Sequence, residues 1–375
     1  MRIGILTMHR VVNYGSFLQA FALKQLVKEI VHDDDCKIEF IDIRKGVPLY
    51  KNSIIKKFGI YCSYIISGKF LEKVRQREFS KGLCKQFERD FYPMLGKISS
   101  PDSQEYDIVI IGSDEVFNCC QNSTWGFTTQ LYGDVQHVKK IFSYAGSFGT
   151  TTLDELHKFD LENEILNSLN ALSSISVRDK NSKTIIETLT NRQALMHFDP
   201  VLIYGYKKEI ANLSDFKSDE DFIVVYSYNG RIKSNAEISA VKEFAKNHKS
   251  KIYTIFCCYS WADRTIVPET PMYVLKIFQK AKYIITDTFH GTIFSIITHK
   301  KFCVFSRNTN IEKLTSLLEP LNLTHHIVDS PDNISRMEMV VTQSIDYEEI
   351  ESILTNERIR SKEFLLKELQ CGEEK

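Results

Sequence analysis

Five consecutive side chains, Thr286-Asp287-Thr288-Phe289-His290, interrupt an apolar run and are followed by Gly291. They gather a carboxylate, two hydroxyls, an aromatic ring and an imidazole in one turn. Imidazole is the side chain best suited to exchanging a proton near neutral pH. The flanks indicate how it would be held. Tyr283–Ile285 reads as a short buried strand, and Ile293, Phe294, Ile296 and Ile297 recur at near-helical spacing. Gly291 lets backbone come close to a ligand. His290 thus falls where a strand ends and a helix begins. In open α/β sheets ligands bind at that edge, and a helix amino end favours an anion. The competing reading is a histidine that only caps a turn.

Four more polar turns follow candidate strands. Asn13, Gly15 and Ser16 precede one apolar helix, but without the G-x-G-x-x-G spacing of a dinucleotide site. Gly112-Ser113-Asp114 ends a second strand, Gly146, Ser147 and Gly149 a third, and Arg178-Asp179 a fourth. A guanidinium at a strand end can grip a carboxylate or phosphate through two parallel hydrogen bonds. Arg178 could equally pair with Asp179 or a neighbouring acid. Each turn alone is an ordinary connection; together they collect small and polar residues along one edge of a sheet.

The elements that must position these turns alternate. Candidate strands are Ile3–Leu6, Ile38–Ile43, Asp107–Ile111, Ile141–Tyr144, Ser174–Val177 and Val201–Tyr204. Candidate helices are Ser16–Ile30, Phe70–Asp90, Leu153–Ala171 and Asn181–Leu189. This rhythm predicts an α/β domain with a largely parallel sheet over residues 1–206. A polar stretch, 207–221, reads as a linker. A second α/β domain is expected over 222–345, facing the first across a cleft. The remainder, 346–375, reads as a long charged helix returning across the domain junction.

The 375 residues carry 48 basic and 48 acidic side chains, so no global charge argues for nucleic acid. Nine cysteines in poor zinc spacing read as reduced thiols, and no metal cluster is visible. No apolar run reaches spanning length, and the chain opens directly into a strand, which predicts a cytoplasmic protein. Between Lys51 and Asp90, ten basic residues stand against four acids, beside the aromatic run FGIYCSYIISG. That stretch reads either as a peripheral seat on anionic lipid at the inner membrane face or as a buried segment followed by a solvated basic helix.

Taken in order, several segments resemble the polysaccharide pyruvyl transferase family, over residues 3 to 328. They are Asn13-Tyr14-Gly15 with Leu18-Gln19-Ala20, Gly112-Ser113-Asp114 with Asn118, and Tyr144-Ala145 with Ser147-Phe148-Gly149. Ile175-Ser176-Val177-Arg178, Asp199-Pro200 and Thr286 to Gly291 complete the series. The resemblance implies two Rossmann-like domains arranged as in GT-B glycosyltransferases. It implies transfer of pyruvate from phosphoenolpyruvate, without a further cofactor, to two hydroxyls of one sugar in a surface polysaccharide or its lipid-linked precursor. The product is a cyclic ketal. His290 is the expected general acid, with Arg178 and Asp287 as catalytic partners. Thr288, Phe289, Gly291, Thr292, Arg307 and Asn308 form the expected donor site. Asn13, Tyr14, Gly15, Ser16, Gly112, Ser113, Asp114, Asn118, Ser147 and Phe148 line the expected cleft or acceptor side. Some family members carry an arginine two residues before the histidine; here Thr288 stands there, so Arg178 or Arg307 would have to supply the cation. Two other readings use the same architecture: a nucleotide-sugar glycosyltransferase, and a non-catalytic glycan-binding relative. Acceptor sugar and oligomeric state stay open.

Overall fold

The computed structural model describes residues 1–33, 35–50, 70–120 and 125–370. The aromatic run FGIYCSYIISG lies outside the described residues.

Two parallel sheets dominate. The first has the order β3-β2-β1-β4-β5, from β1 (Arg2–Leu6), β2 (Lys37–Ile41), β3 (Ile98–Ser99), β4 (Tyr106–Ile111) and β5 (Val138–Ser143). A short parallel pair, β6 (Ser176–Val177) and β7 (Leu195–Met196), joins the β5 side through single bridges at Ile141–Leu172 and Gly146–Val177. The second sheet has the order β10-β9-β8-β11-β12-β13. Its strands are β8 (Phe222–Tyr226), β9 (Lys251–Ile255), β10 (Arg264–Ile266), β11 (Tyr283–Thr286), β12 (Phe302–Phe305) and β13 (Ile327–Val328). Central strands such as β8 are buried at every residue, because helices cover both faces. Counted within its own half, each sheet starts at its centre, runs to one edge, then jumps back to the other side. That is the doubly wound order, and it opens a ligand crevice where the direction reverses. The two reversal points lie between β1 and β4 and between β8 and β11.

Helices connect the strands. They are α1 (Tyr14–Val31), α2 (Phe70–Gln86), α3 (Leu153–Lys158), α4 (Glu162–Leu169), α5 (Lys180–Thr190), α6 (Pro200–Tyr204) and α7 (Lys207–Asn212) in the first part of the chain. Then come α8 (Asn235–Asn247), α9 (Tyr273–Lys280), α10 (Phe289–Ile297), α11 (Ile311–Leu318), α12 (Ile334–Thr342) and α13 (Tyr347–Leu369).

Four expectations need correction. Val201–Tyr204 is not a strand but most of α6: Asp199 accepts from the Val201 amide and Pro200 fills the first turn, a pairing that starts helices. Leu153–Ala171 is two helices, because Asp160 between them takes a left-handed φ of 53°. Helix α2 ends at Gln86, and Phe87–Phe91 continues it as one π turn that buries Phe87 and Phe91. The polar stretch 207–221 begins with α7 before reaching β8.

One apolar cluster runs through both halves. Tyr14 of α1 packs on Phe87 and Phe91 and meets Phe256, beyond β9, edge-on at 5.9 Å. Helix α13 folds back over the first half. Arg358 donates to the Ile203 carbonyl, Lys140 pairs with Glu368 at 3.0 Å, and Phe364 packs on Phe142 and His197. No helix among the described residues is long and apolar enough to cross a membrane.

Candidate functional site

A cavity of about 310 Å³ lies between the halves, at the carboxyl ends of β1, β4, β8 and β11. Both reversal points therefore open into the same space. Its centre is the amino end of α10. The Thr288 hydroxyl accepts from the Gly291 amide at 2.9 Å and fixes where the helix starts. Phe289 and His290 follow with first-turn amides that no carbonyl of the helix can accept. Gly291 is required by space: a Cβ there would fall 2.3 Å from the Thr286 hydroxyl.

His290 is 7% exposed. Its Nε2 lies 3.5 Å from the Asp199 carboxylate, an ion-pair distance, and makes no hydrogen bond among the described residues. The ring is pressed from the other half by α1. A Cβ on Gly15 would come within 2.3 Å of the imidazole carbon. Here a missing side chain sets the position of the imidazole.

Behind the imidazole runs a chain of alternating charge. Ser16 donates to Asp114 at 2.7 Å; Arg178 donates to Asp114 at 2.9 Å and to Asp199 at 2.7 Å; Asp199 faces His290. The Arg178 side chain is almost wholly buried, and its guanidinium lies 4.2 Å from the centre of the Phe289 ring. Burial pushes the Asp199 carboxyl up, but His290 and Arg178 outweigh it and hold it at about 2. Burial opposes the Asp114 charge too, and Arg178, followed by His290, again keeps its carboxyl below the usual range. Asp199 also accepts from Ser113 and from the Val201 amide, which anchors it to the start of α6.

The opposite wall comes from the segment after β8. Tyr228 accepts from Asn13 across the cleft at 2.9 Å. The Arg231 guanidinium stacks 4.8 Å from the centre of the Tyr228 ring and donates to the Asp287 carbonyl at 3.3 Å. Lys313 of α11 crosses to Glu115 at 2.6 Å. The Asp287 carboxylate is fully buried, and neither oxygen has a hydrogen bond among the described residues. Burial raises its pKa, with Arg231 and Arg307 only partly opposing. It lies toward Arg307, 3.9 Å away, whereas the acid beside His290 is Asp199.

Of the residues singled out in the sequence, Asn13, Ser16, Asp114, Asn118, Arg178, Asp287, Thr288, Phe289 and His290 line the cavity. Most of the others form the layer behind it. Tyr14 is core, and Gly112 sits where a Cβ would strike the Tyr144 carbonyl at 2.1 Å. Ser147 donates to Asp179, which caps α5, and Phe148 packs on Phe117. Thr292 donates to the Thr288 carbonyl, Asn308 is exposed, and Arg307 is bound by Glu237 outside the cavity. Arg178 pairs with Asp114 and Asp199, while Asp179 turns away to its helix. The sequence reading missed Asp199 as a site residue, and Glu115, Tyr228, Arg231 and Lys313 altogether. Tyr228 and Arg231 had a usable signal, since they follow β8 as Met8–Asn13 follows β1.

A family model for polysaccharide pyruvyl transferase matches residues 13–309. The chain belongs to the polysaccharide pyruvyl transferase family. The matched range takes in the pyruvyl transferase turn at His290 and every cavity residue except Met8, Val11, Asn310 and Lys313. No curated protein matches the chain. Among solved structures, this transferase-family chain is similar to the UDP-GlcNAc 2-epimerase from Neisseria meningitidis bound to UDP-GlcNAc. Identity is 11%, covering 98% of this chain and 100% of that one, with a TM-score of 0.51. It is also similar to the UDP-N-acetylglucosamine 2-epimerase from Rickettsia bellii, at 9% identity over 98% and 96% and a TM-score of 0.50. At such identities the likeness is one of fold: the pyruvyl transferase chain has the GT-B-like arrangement of two doubly wound halves.

Proposed function

We propose that this chain transfers the pyruvyl group of phosphoenolpyruvate to two hydroxyls of one sugar, forming a cyclic ketal, with His290 as general acid. The observation that carries this reading is the convergence, on one cavity between the halves, of a helix amino end and an imidazole whose Nε2 makes no hydrogen bond among the described residues. The imidazolium delivers a proton to the methylene carbon of the donor, which becomes a methyl group. The adjacent carbon turns electrophilic and takes the first sugar hydroxyl, whose proton returns to the imidazole. Phosphate then leaves with that proton. The second hydroxyl adds to the same carbon, closes the ring and passes its proton to the imidazole, which restores the acid. Asp199 is the counter-ion of the imidazolium, and the first-turn amides of α10 suit the donor's anionic groups.

The test is release of inorganic phosphate from phosphoenolpyruvate with a panel of saccharide acceptors, beside release of nucleotide from sugar nucleotides. Phosphate release that falls about 10²-fold or more in His290→Ala is expected, the usual scale of acid catalysis. A folded His290→Ala variant with normal turnover would overturn the assignment. The sugar-nucleotide alternative has less support, because Arg307, its natural phosphate partner, is engaged by Glu237.

The acceptor is read as a surface polysaccharide or its lipid-linked precursor. Arg75, Arg77, Lys81 and Lys85 are exposed on α2 and suit a seat on anionic lipid. Salt-sensitive co-sedimentation with anionic vesicles is expected; no binding at low salt removes the membrane part alone.

A further inference from the structure

The cavity must hold a donor with both a phosphate and a carboxylate, so its cations matter individually. Three permanent cations line it: Arg178, Lys313 and Arg231. Arg178 is spent between Asp114 and Asp199, so that trio carries net negative charge. Lys313 is cancelled by Glu115 at 2.6 Å. Arg231 differs. Among the described residues no carboxylate lies within ion-pair distance of its guanidinium; the buried Asp287 carboxyl feels its charge, but burial raises the pKa of that acid, and the side-chain hydrogen bond goes to the neutral Asp287 carbonyl.

That carbonyl belongs to the residue just before the Thr288 cap of α10. The guanidinium is thereby docked beside the helix amino end, and its hydrogen bond to Asp287 uses Nη1 alone. A guanidinium has five N–H groups in a planar fork, so Nε and Nη2 retain donors for a ligand. The Tyr228 face supports the fork at 4.8 Å and limits its orientation. Two buried polar atoms of the same lining, His290 Nε2 and the Tyr226 hydroxyl, make no hydrogen bond among the described residues, as expected of a cavity shaped for a polar ligand.

We infer that Arg231 is the donor-anion residue of this chain: its guanidinium, with the amino end of α10, binds an oxyanion of phosphoenolpyruvate and holds the methylene carbon against His290. This rests on the pyruvyl transfer reading, and the test separates the two. Calorimetry on the full chain with phosphoenolpyruvate alone reads binding; phosphate release with saccharide acceptors reads transfer.

Arg231→Gln is expected to weaken phosphoenolpyruvate binding by about 10- to 100-fold, the scale of one lost charge-assisted hydrogen bond. The KM for this donor should rise with little change in kcat at saturation. Arg231→Lys should recover only part of the affinity, since an ammonium cannot reproduce the fork. It also serves as the readable variant if the glutamine form does not fold. Unchanged affinity in either folded variant overturns the inference, as does failure of the unmodified chain to bind phosphoenolpyruvate. If the unmodified chain binds phosphoenolpyruvate through Arg231 but releases no phosphate with any acceptor, the transfer reading fails and the anion site stands.

Discussion

Asp199 joins the first half of the site to the second: it accepts from Arg178, anchors α6 and faces His290. Its folded-state carboxyl is held at about 2, below the ordinary value of about 4. The stabilisation linked to that depression is therefore present above about pH 4 and is lost as pH falls through about 2. Asp199→Asn is expected to cost about 2 kcal/mol or more at pH 7, since it leaves Arg178 with one carboxylate. Urea unfolding of both proteins at pH 7 and near pH 2.5 measures it, and the gap should narrow on acidification. A gap independent of pH would mean that Asp199 acts through packing alone. The sequence exposed His290 and Asp114 as polar residues ending apolar strands. It did not expose the pairing. Asp287 is three residues from His290 and was the natural partner, yet the carboxylate that arrives comes from position 199. Sequence distance says nothing about which acid a fold delivers across a cleft.

At the scale of elements, the contact between α1 and α10 governs the site. Both helices begin at a capped turn after a central strand, Asn13 after β1 and Thr288 after β11. Their amino ends meet with Gly15 against His290. A methyl group at position 15 would sit about an ångström too close to the ring. Gly15→Ala is expected to lower phosphate release at least tenfold while leaving α1 intact, because alanine favours helix by about 1 kcal/mol over glycine. Turnover and far-ultraviolet circular dichroism together check this; unchanged turnover would show that the ring can move aside. Most elements were legible, since buried parallel strands and amphipathic helices have distinct periods. The failures share a cause. Val201–Tyr204 is β-branched and apolar enough for a strand, but Asp199-Pro200 imposes a helix start; at Asp160 one left-handed residue divides what periodicity alone would join.

Across the whole molecule, two buried imidazoles set the acid limit. His197 and His326 are 4% and 0% exposed, and burial lowers each to about 4. Both must stay neutral when folded, whereas in the unfolded chain they titrate near 6.5. Stability is therefore full above about pH 6.5 and falls as pH drops toward 4, by about 2 kcal/mol for each at pH 5. His197 also packs on Phe364, so acid should loosen α13 first. Hydrogen exchange along 347–369 at pH 7 and pH 5 tests the order; equal protection at both values would refute it. The doubly wound rhythm of both halves was legible from the alternation of elements. The sequence suggested a helix that returns across the domain junction but not the residues it meets, since its contacts with Ile203 and Glu29 join residues far apart in sequence.

The shared cavity has a consequence for the order of events. The groups proposed to face the donor, Arg231 and the start of α10, belong to the second half, and Asn13, Ser16 and Asn118 belong to the first. Two substrates resting on opposite walls can be present together, and the ketal needs both hydroxyls beside the same carbon. Initial rates measured with both concentrations varied should therefore give intersecting double-reciprocal lines, the pattern of a ternary complex. Parallel lines, the mark of a pyruvylated enzyme that forms before the sugar arrives, would require a nucleophile in the cavity and a different division of labour between its walls.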